Sequence, residues 1–392
     1  MNARSHPDSR HIPSRIALFC MAAAALLLIG LIPSCAAGGD DGATLLRISR
    51  NGLYGYADTE GEVVIPCVWP YASDFQEGLA YVHNEERRCG FIDFRGQLVI
   101  PCRWEDAEGF LDGLAPVLDE ESRYGFINRE GRQVIPCQWN EFASYCNGSY
   151  FSEGLLAVED DHGRWGYIDL RGELVIPCQW KQAYPFCGGL AVVENQERLF
   201  GFIDATGQQV IPCQWREAEF FCDGRALVLD GDDHYRYIDS TGSPAFPHHW
   251  DSMAASFSEG LAAGATRQGD WGYINLHGEL TIPCQWKAAE SFRDGLALVR
   301  NGDRQWGFIN REGQQVIPCQ WAEAYPFFDG LALVRNQDGR YGYINPQGEL
   351  VIPCRWEDAY SFHNGVAQAK KDGTWYYINT AGEIITGVYT AP

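Results

Sequence analysis

The chain has 392 residues, a formal net charge of −22 and a pI near 4.7, and 46% of its residues are hydrophobic. This apolar content is too high for a disordered chain. The acidic residues are scattered along the sequence, and an acidic surface repels phosphate backbones, which argues against general nucleic-acid binding.

The first 34 residues predict a signal peptide. Arg4, Arg10 and Arg15 make a basic region. Residues 16–31 then form an uninterrupted apolar run, which is short for a membrane span and suits the apolar core of a signal peptide. We therefore exclude residues 1–34 from the fold.

The residues around Cys35 raise the possibility of a lipid anchor. The sequence Leu-Ile-Pro-Ser-Cys at 31–35 resembles a bacterial lipobox, which implies that Cys35 is the lipid-modified first residue of the mature chain. The alternative is ordinary cleavage after Ala36 or Ala37, which releases a secreted protein. Residues 35–44, rich in Gly and Asp, suit a flexible tether in either case.

From residue 45 onward the chain repeats one unit of about 35 residues. Its most regular segment is Ile-Pro-Cys-x-Trp, which is replaced once by Phe-Pro-His-His-Trp with His248 at the Cys position. A fixed period of this kind predicts a repeat architecture. The cysteines of the segment are Cys67, Cys102, Cys137, Cys178, Cys213, Cys284, Cys319 and Cys354.

Each unit also carries an aromatic residue followed by Gly, as in Trp165-Gly166, Trp271-Gly272 and Trp306-Gly307. With the Ile-Pro-Cys-x-Trp segment, this pair resembles the WG-repeat family of bacterial proteins. The resemblance covers about residues 45–386 and implies an all-β repeat array of the cell envelope or exterior. It implies no particular chemistry, because the family has no common activity.

Hydrophobic patterning predicts three strands in each unit. In one copy these are residues 296–300, 305–310 and 314–321, and residues 322–330 cross over to the next copy. Residues 45–392 are thus expected to hold nine three-stranded meanders and a partial C-terminal cap. Because Pro cannot donate to a strand ladder, the third strand should lie at the edge of its meander, with the aromatic-Gly strand in the middle.

We expect the array to be an open β-solenoid or superhelix. Nine units of three strands exceed the four to eight four-stranded blades that a propeller usually has. The alternative is a closed, propeller-like ring. Within the third strand, Ile317, Cys319 and Trp321 share one face by period-two alternation, and we expect this face to be the core.

Three copies hold a second Cys nine residues after the first, which suggests local disulfides in an oxidising compartment. The competing interpretation is that these thiols are small buried hydrophobes. No Cys-x2-Cys or His cluster accompanies them, so we expect no metal site. The candidate disulfides are Cys137–Cys146, Cys178–Cys187 and Cys213–Cys222.

The copy between Cys137 and Cys178 is six residues longer than the others. Because insertions in repeat arrays lie in loops on one face, which is often the binding face, this is a candidate binding loop. An ordinary longer loop is the alternative. The residues proposed for contact are Tyr145, Asn147, Tyr150 and Phe151.

No residue pattern indicates catalysis. The acid or amide that follows each aromatic-Gly strand alternates between Asp and Asn, and a Gly follows it three residues later, which indicates a turn. We expect no enzyme activity and no cofactor. The predicted function is an envelope-anchored surface that binds a protein or other macromolecular partner. The alternative is a carbohydrate- or peptidoglycan-binding module that uses rows of aromatic side chains.

Overall fold

The structure, a computed structural model, describes residues 45–143, 149–246 and 254–389. The predicted signal peptide, residues 1–34, and the tether, residues 35–44, lie outside these ranges. Every regular element in the described residues is a β-strand. Within the same ranges, no helix is both long and apolar enough to cross a membrane. The strands form ten small antiparallel sheets, which we call blades 1 to 10 in chain order.

The first five blades contain strands β1 to β19. Blade 1 has three strands and blades 2 to 5 have four each. In order, the blades are β1 (Leu46–Arg50), β2 (Leu53–Ala57), β3 (Val63–Trp69); β4 (Tyr71–Ala72), β5 (Ala80–His83), β6 (Cys89–Ile92), β7 (Leu98–Trp104); β8 (Asp106–Ala107), β9 (Leu114–Leu118), β10 (Tyr124–Asn128), β11 (Gln133–Trp139); β12 (Glu141–Ala143), β13 (Leu155–Glu159), β14 (Trp165–Asp169), β15 (Leu174–Trp180); and β16 (Gln182–Cys187), β17 (Leu190–Glu194), β18 (Phe200–Asp204), β19 (Gln209–Trp215).

The remaining five blades contain strands β20 to β37. Blades 6 and 7 have three described strands, and blades 8 to 10 have four. In order, they are β20 (Glu217–Ala218), β21 (Ala226–Leu229), β22 (Tyr235–Ile238); β23 (Leu261–Ala265), β24 (Trp271–Asn275), β25 (Leu280–Trp286); β26 (Ala288–Ala289), β27 (Leu296–Arg300), β28 (Trp306–Asn310), β29 (Gln315–Trp321); β30 (Glu323–Phe328), β31 (Leu331–Arg335), β32 (Tyr341–Ile344), β33 (Leu350–Trp356); and β34 (Asp358–Ala359), β35 (Val366–Lys371), β36 (Thr374–Asn379), β37 (Ile384–Tyr389).

The sequence-based unit of three strands and a loop is therefore incomplete. The crossover after each Trp adds a short strand to the next sheet, such as β4 or β30, so that most blades have four strands. The predicted order within the sheet is confirmed. The Pro-containing strand lies at the edge of each sheet, because Pro offers no N–H to a ladder. The aromatic-Gly strand lies between this edge strand and the strand that precedes it in the meander.

The glycine of each aromatic-Gly pair lies at a close approach between two strands. A Cβ on Gly166 would be 2.5 Å from the carbonyl oxygen of Ile176 and 2.7 Å from the backbone nitrogen of Cys178. The strand register shifts at the same place, between Trp165 and Tyr167. Such a bulge leaves no room for a side chain. The same contact recurs at Gly55, Gly90, Gly125, Gly201, Gly272, Gly307 and Gly342.

Neighbouring blades interlock through two repeated contacts. The turn glycine of one blade packs on the Ile-Pro isoleucine of the blade before it: a Cβ on Gly172, where φ is +78°, would be 3.0 Å from Ile135. The buried Tyr167 hydroxyl donates a 2.7 Å hydrogen bond to the backbone oxygen of Tyr184 in the next blade. Each blade therefore uses its neighbour to complete its packing, as expected for units too small to fold alone.

The array closes into a ring, which corrects the expectation of an open solenoid. Strand β1 of blade 1 lies against β37 of blade 10. Leu46 of β1 forms a shared apolar cluster with Val366, Tyr377 and Ile385 of blade 10. The four-stranded blade and this closing contact are properties of a propeller, the alternative named above. The segment expected as a partial cap supplies the last strand of blade 10.

Candidate functional site

The recurrent acid or amide serves the turns. Asp169 Oδ1 accepts hydrogen bonds from the backbone N–H groups of Arg171 and Glu173, both at 2.9 Å. In blade 8, Asn310 Oδ1 accepts a 2.8 Å bond from the N–H of Gln314. An Asn does this as well as an Asp, which explains why the two types alternate. The interpretation of this position as a turn residue is confirmed.

The Trp residues that end the Pro-containing strands belong to the core. Trp356 is 1% exposed, and Trp104, Trp139 and Trp321 are each 8% exposed. The remaining ones, such as Trp180, are half-buried and pack against buried clusters. The prediction that the Trp face is the core is confirmed. The Trp side chains that end the described Pro-containing strands are therefore buried or half-buried.

The same strands expose a row of aliphatic side chains at the surface. The first two residues of the Pro-containing strand point away from the core, because the buried set begins at the following Ile. Each blade whose last strand is described contributes at least one side chain, between 37% and 55% exposed. We call this set the aliphatic row: Val63, Val64, Leu98, Val99, Val134, Leu174, Val175, Val210, Leu280, Val316, Leu350, Val351 and Ile384.

Carboxylates border the aliphatic row. Glu62, Glu173, Glu279 and Glu349 each come directly before an aliphatic residue of the row, and all four are exposed. The strand behind them is a sheet edge with proline in its middle, as at Pro177. Proline at an edge prevents indiscriminate strand pairing. The surface is thus suited to side-chain contacts with a partner that carries apolar and basic groups.

Five of the six predicted disulfide cysteines, Cys137, Cys178, Cys187, Cys213 and Cys222, are free thiols in the structure, and Cys146 lies outside the described residues. Cys178 lies in the last strand of blade 4, whereas Cys187 lies in the first strand of blade 5. Burial raises the pKa of the Cys137, Cys178 and Cys213 thiols, each to about 11. These register thiols are therefore protonated near neutral pH, as the buried-hydrophobe interpretation expects.

Cys187 and Cys222 lie close together across two blades. The thiol of Cys187 donates a 3.3 Å hydrogen bond to the backbone oxygen of Phe221. A hydrogen bond between the two thiols, followed by burial, raises the pKa of Cys222. The sequence analysis paired each of them with the cysteine nine residues earlier. It missed this pairing because the two residues are equivalent positions of successive copies.

Of the candidate binding loop, Tyr145 and Asn147 lie outside the described residues. Tyr150 is buried, and its hydroxyl donates a 2.8 Å hydrogen bond to the backbone oxygen of Gly109. Phe151 is half-buried, with its ring 5.8 Å from that of Phe126. The hypothesis that Tyr150 offers an exposed ring is wrong, because its side chain packs between blades 3 and 4.

A family model for the WG-containing repeat matches nine successive segments of the chain, each beginning at or near the aromatic-Gly pair and together spanning most of the array. The chain belongs to this family. The matched segments of this WG-repeat protein are residues 54–85, 90–120, 124–161, 165–197, 200–232, 235–263, 271–304, 306–341 and 341–375.

A comparison with curated proteins gives no match for this WG-repeat protein. Among solved structures, the computationally designed protein Ika8 is 13% identical, with a TM-score of 0.36 over 78% of this chain and 94% of its own. BamB from Moraxella catarrhalis is 12% identical, with a TM-score of 0.35 over 71% and 91%. The WD40 β-propeller domain of Doa1 is 11% identical, with a TM-score of 0.28 over 60% and 90%.

Proposed function

We propose that this WG-repeat protein is a non-enzymatic ring that binds a protein partner through the aliphatic row. The observation that carries the proposal is the repeated exposure of Val, Leu and Ile side chains at one edge of nine blades. Exposed apolar groups that recur at equivalent positions of an array can form an interaction surface. Repeat proteins commonly spread binding energy over such equivalent positions.

Charge narrows the chemistry of the partner. The chain carries a net charge of −22, and exposed Glu side chains flank the aliphatic row. A partner surface with aliphatic side chains between Lys or Arg residues complements both features. The carbohydrate hypothesis receives less support, because the regular Trp row packs in the core.

We also propose that the ring is displayed at the cell envelope. The basic and apolar segments of residues 4–31, together with the lipobox-like sequence before Cys35, support export and lipid anchoring. Residues 35–44 would then tether the ring to the membrane. Release as a secreted protein is the alternative, and metabolic labelling with a fatty-acid analogue distinguishes the two through Cys35→Ala.

Site-specific photo-cross-linking tests the binding surface. A benzoylphenylalanine at Val99, Val175 or Val351 should cross-link the same partner from the native host, because the three positions are equivalent. The variant Val175→Glu should weaken cross-linking from Val99 about tenfold or more, since it places a charge within the apolar contact. Raising the salt concentration should also reduce the yield if basic groups of the partner take part.

The matched controls are the same photoreactive residue at Glu121 and Asp303, which are exposed but lie on hairpin turns outside the aliphatic row. Equal cross-linking from these sites, or different partners from the three sites of the row, would contradict the proposal. Binding of glycans by the purified ring, together with quenching of its Trp emission, would favour the carbohydrate hypothesis instead.

A further inference from the structure

Blade 2 departs from the repeat at the residue before Gly90, which is the glycine that follows an aromatic residue in most other blades. Cys89 stands where every other blade has an aromatic ring. A thiol is far smaller than a ring, and an open cleft of about 440 Å³ adjoins this place, lined by His83, Arg88 and Asp106 among others. The aromatic residues at the equivalent position are Tyr54, Tyr124, Trp165, Phe200, Tyr235, Trp271, Trp306, Tyr341 and Trp375.

Three different ligand types converge there. His83 of β5 and Cys89 of β6 are direct cross-strand partners, so their side chains share one face of the sheet. Asp106 comes from β8, the first strand of blade 3. The His83 nitrogen, the Cys89 sulfur and an Asp106 oxygen all lie within 4.8 Å of one another. His83 Nε2 lies 3.8 Å from Asp106 Oδ1.

One nitrogen of the His83 imidazole lacks a hydrogen bond. Its Nε2 atom is buried and has no hydrogen-bond partner among the described residues. The ring is held in place by Tyr71, whose centroid is 5.1 Å away. At the same register position, blade 8 places Arg300 over Trp306 and forms a cation–π contact. In blade 2, His83 and Cys89 occupy this pair of positions.

We propose that His83, Cys89 and Asp106 bind a Zn²⁺ ion. A thiolate, an imidazole and a carboxylate form a ligand set typical of zinc, whereas Mg²⁺ and Ca²⁺ prefer oxygen ligands. Tetrahedral ligands at about 2.0–2.3 Å from zinc lie roughly 3.3–3.8 Å apart, so the site closes with a contraction of at most about 1.5 Å between ligand atoms. Three protein ligands leave a fourth position open toward the cleft.

The charges of the ligands and of their neighbours agree with this geometry. The Cys89 thiolate and the Asp106 carboxylate together neutralise the ion. Zn²⁺ forms its bond to the Cys89 sulfur as the thiol proton leaves to solvent. Arg88 does not oppose the ion with an unpaired charge, because it pairs with Glu105 at 2.9 Å and Glu120 at 3.0 Å.

The sequence analysis expected no metal site, because the spacing of residues 83, 89 and 106 matches no zinc motif. A second group, Asp230, Asp232 and His234, also brings ligand types together. Asp230 is however occupied by its turn: Oδ1 accepts the backbone N–H groups of Asp232 and His234, and Oδ2 accepts from Arg236. We assign the ion to blade 2 alone.

Metal titration of the full chain tests the assignment. The protein is reduced with a phosphine, stripped with a chelator and titrated with Zn²⁺ in competition with a chromophoric chelator. Co²⁺ is titrated in parallel, because a thiolate-to-cobalt charge-transfer band reports a Cys ligand directly. We expect the wild-type chain to show this band and Cys89→Ser to lose it. Asp106→Asn should weaken zinc binding at least tenfold.

Asp106 has a 64% exposed side chain, so its variant should fold even if the buried Cys89→Ser variant does not. Cys354→Ser is the matched control for thiol loss, and His234→Ala is the control for the second group. Both should keep the wild-type cobalt band and zinc affinity. Absence of the band in the wild-type chain, its persistence in Cys89→Ser, or a wild-type zinc affinity in Asp106→Asn would overturn the assignment.

Discussion

The glycine of the aromatic-Gly pair is required by a contact between strands. At Gly166 the neighbouring backbone of Ile176 and Cys178 fills the space of a Cβ. Blade 10 carries Tyr376 at this position, and its central strand β36 still pairs with the edge strand β37 through the same register shifts. Eight blades therefore place a glycine at this close approach, whereas blade 10 accommodates a side chain at the same place in the ladder.

Glu290 is a residue whose protonation should affect stability. Desolvation raises its pKa to about 7, and the nearby Arg293 only partly opposes this shift. A carboxyl with a raised folded-state pKa stabilises the fold fully below its unfolded value of 4.5, and this contribution is lost as pH rises through about 7. The loss amounts to at most about 3 kcal/mol, since one pKa unit corresponds to about 1.4 kcal/mol.

We therefore predict that Glu290→Gln flattens the decline in unfolding free energy between about pH 4.5 and pH 7 and makes the protein more stable than wild type at pH 8. Denaturant unfolding across this pH range measures the effect. Glu279→Gln, at an exposed position, should leave the wild-type profile unchanged. A Glu290→Gln profile parallel to that of wild type would contradict the prediction.

Among the secondary-structure elements, the long strands and their order could be predicted, whereas the short ones could not. Period two and the position of Pro suffice to place the edge strand, as in β29. The two-residue strands, such as Tyr71–Ala72, are too short to show any alternation. The sequence pattern did not reveal the proposed zinc ligands for a related reason. Asp106 reaches Cys89 only because another two-residue strand, β8, begins the next blade.

Cys187 and Cys222 give a prediction about how blades 5 and 6 can be linked. Oxidised glutathione should convert these two thiols into one disulfide with release of two reduced glutathione molecules. We expect peptide mapping to find Cys187 joined to Cys222, because the two thiols already interact. In the chain-entropy model, a loop of about 35 residues closed in this way stabilises the fold by about 3–4 kcal/mol.

The Cys213→Ser variant is the matched control and should form the same disulfide, whereas Cys187→Ser should not. Thermal unfolding before and after oxidation measures the stabilisation. Mapping that instead finds Cys178 joined to Cys187, or Cys213 joined to Cys222, would favour the pairing within single copies and contradict the prediction.

For the whole molecule, the sequence pattern predicts nine units and a partial cap, but neither the tenth blade nor the closure of the ring. The Ile-Pro-Cys-x-Trp segment occurs eight times and its worn form once, and β37 of blade 10 lacks this motif. Whether a repeat array closes depends on the rotation between successive units, and this follows from packing contacts such as Gly172 on Ile135 that no local pattern encodes. The closing cluster itself joins Leu46 to residues more than 300 positions away.

Closure of the ring predicts that a destabilising substitution in blade 1 also increases local opening in blade 10. Leu46 is 1% exposed and packs on Val366 and Tyr377. Leu46→Ala should create a cavity that costs about 2–5 kcal/mol. Hydrogen exchange should then accelerate in peptides of both β2 and β36, because local opening spreads through shared packing. In an open array only the blade 1 peptides would lose protection.

Leu156→Ala is the matched control, because Leu156 is equally buried within the array and packs with Phe126 and Ile168. This variant should speed exchange in blades 3 and 4 and leave β36 unchanged. If Leu46→Ala and Leu156→Ala both leave β36 at the wild-type rate, blades 1 and 10 do not share a core and the ring is open in solution. Faster exchange in β36 for Leu46→Ala alone identifies the cluster as the energetic contact that closes the ring.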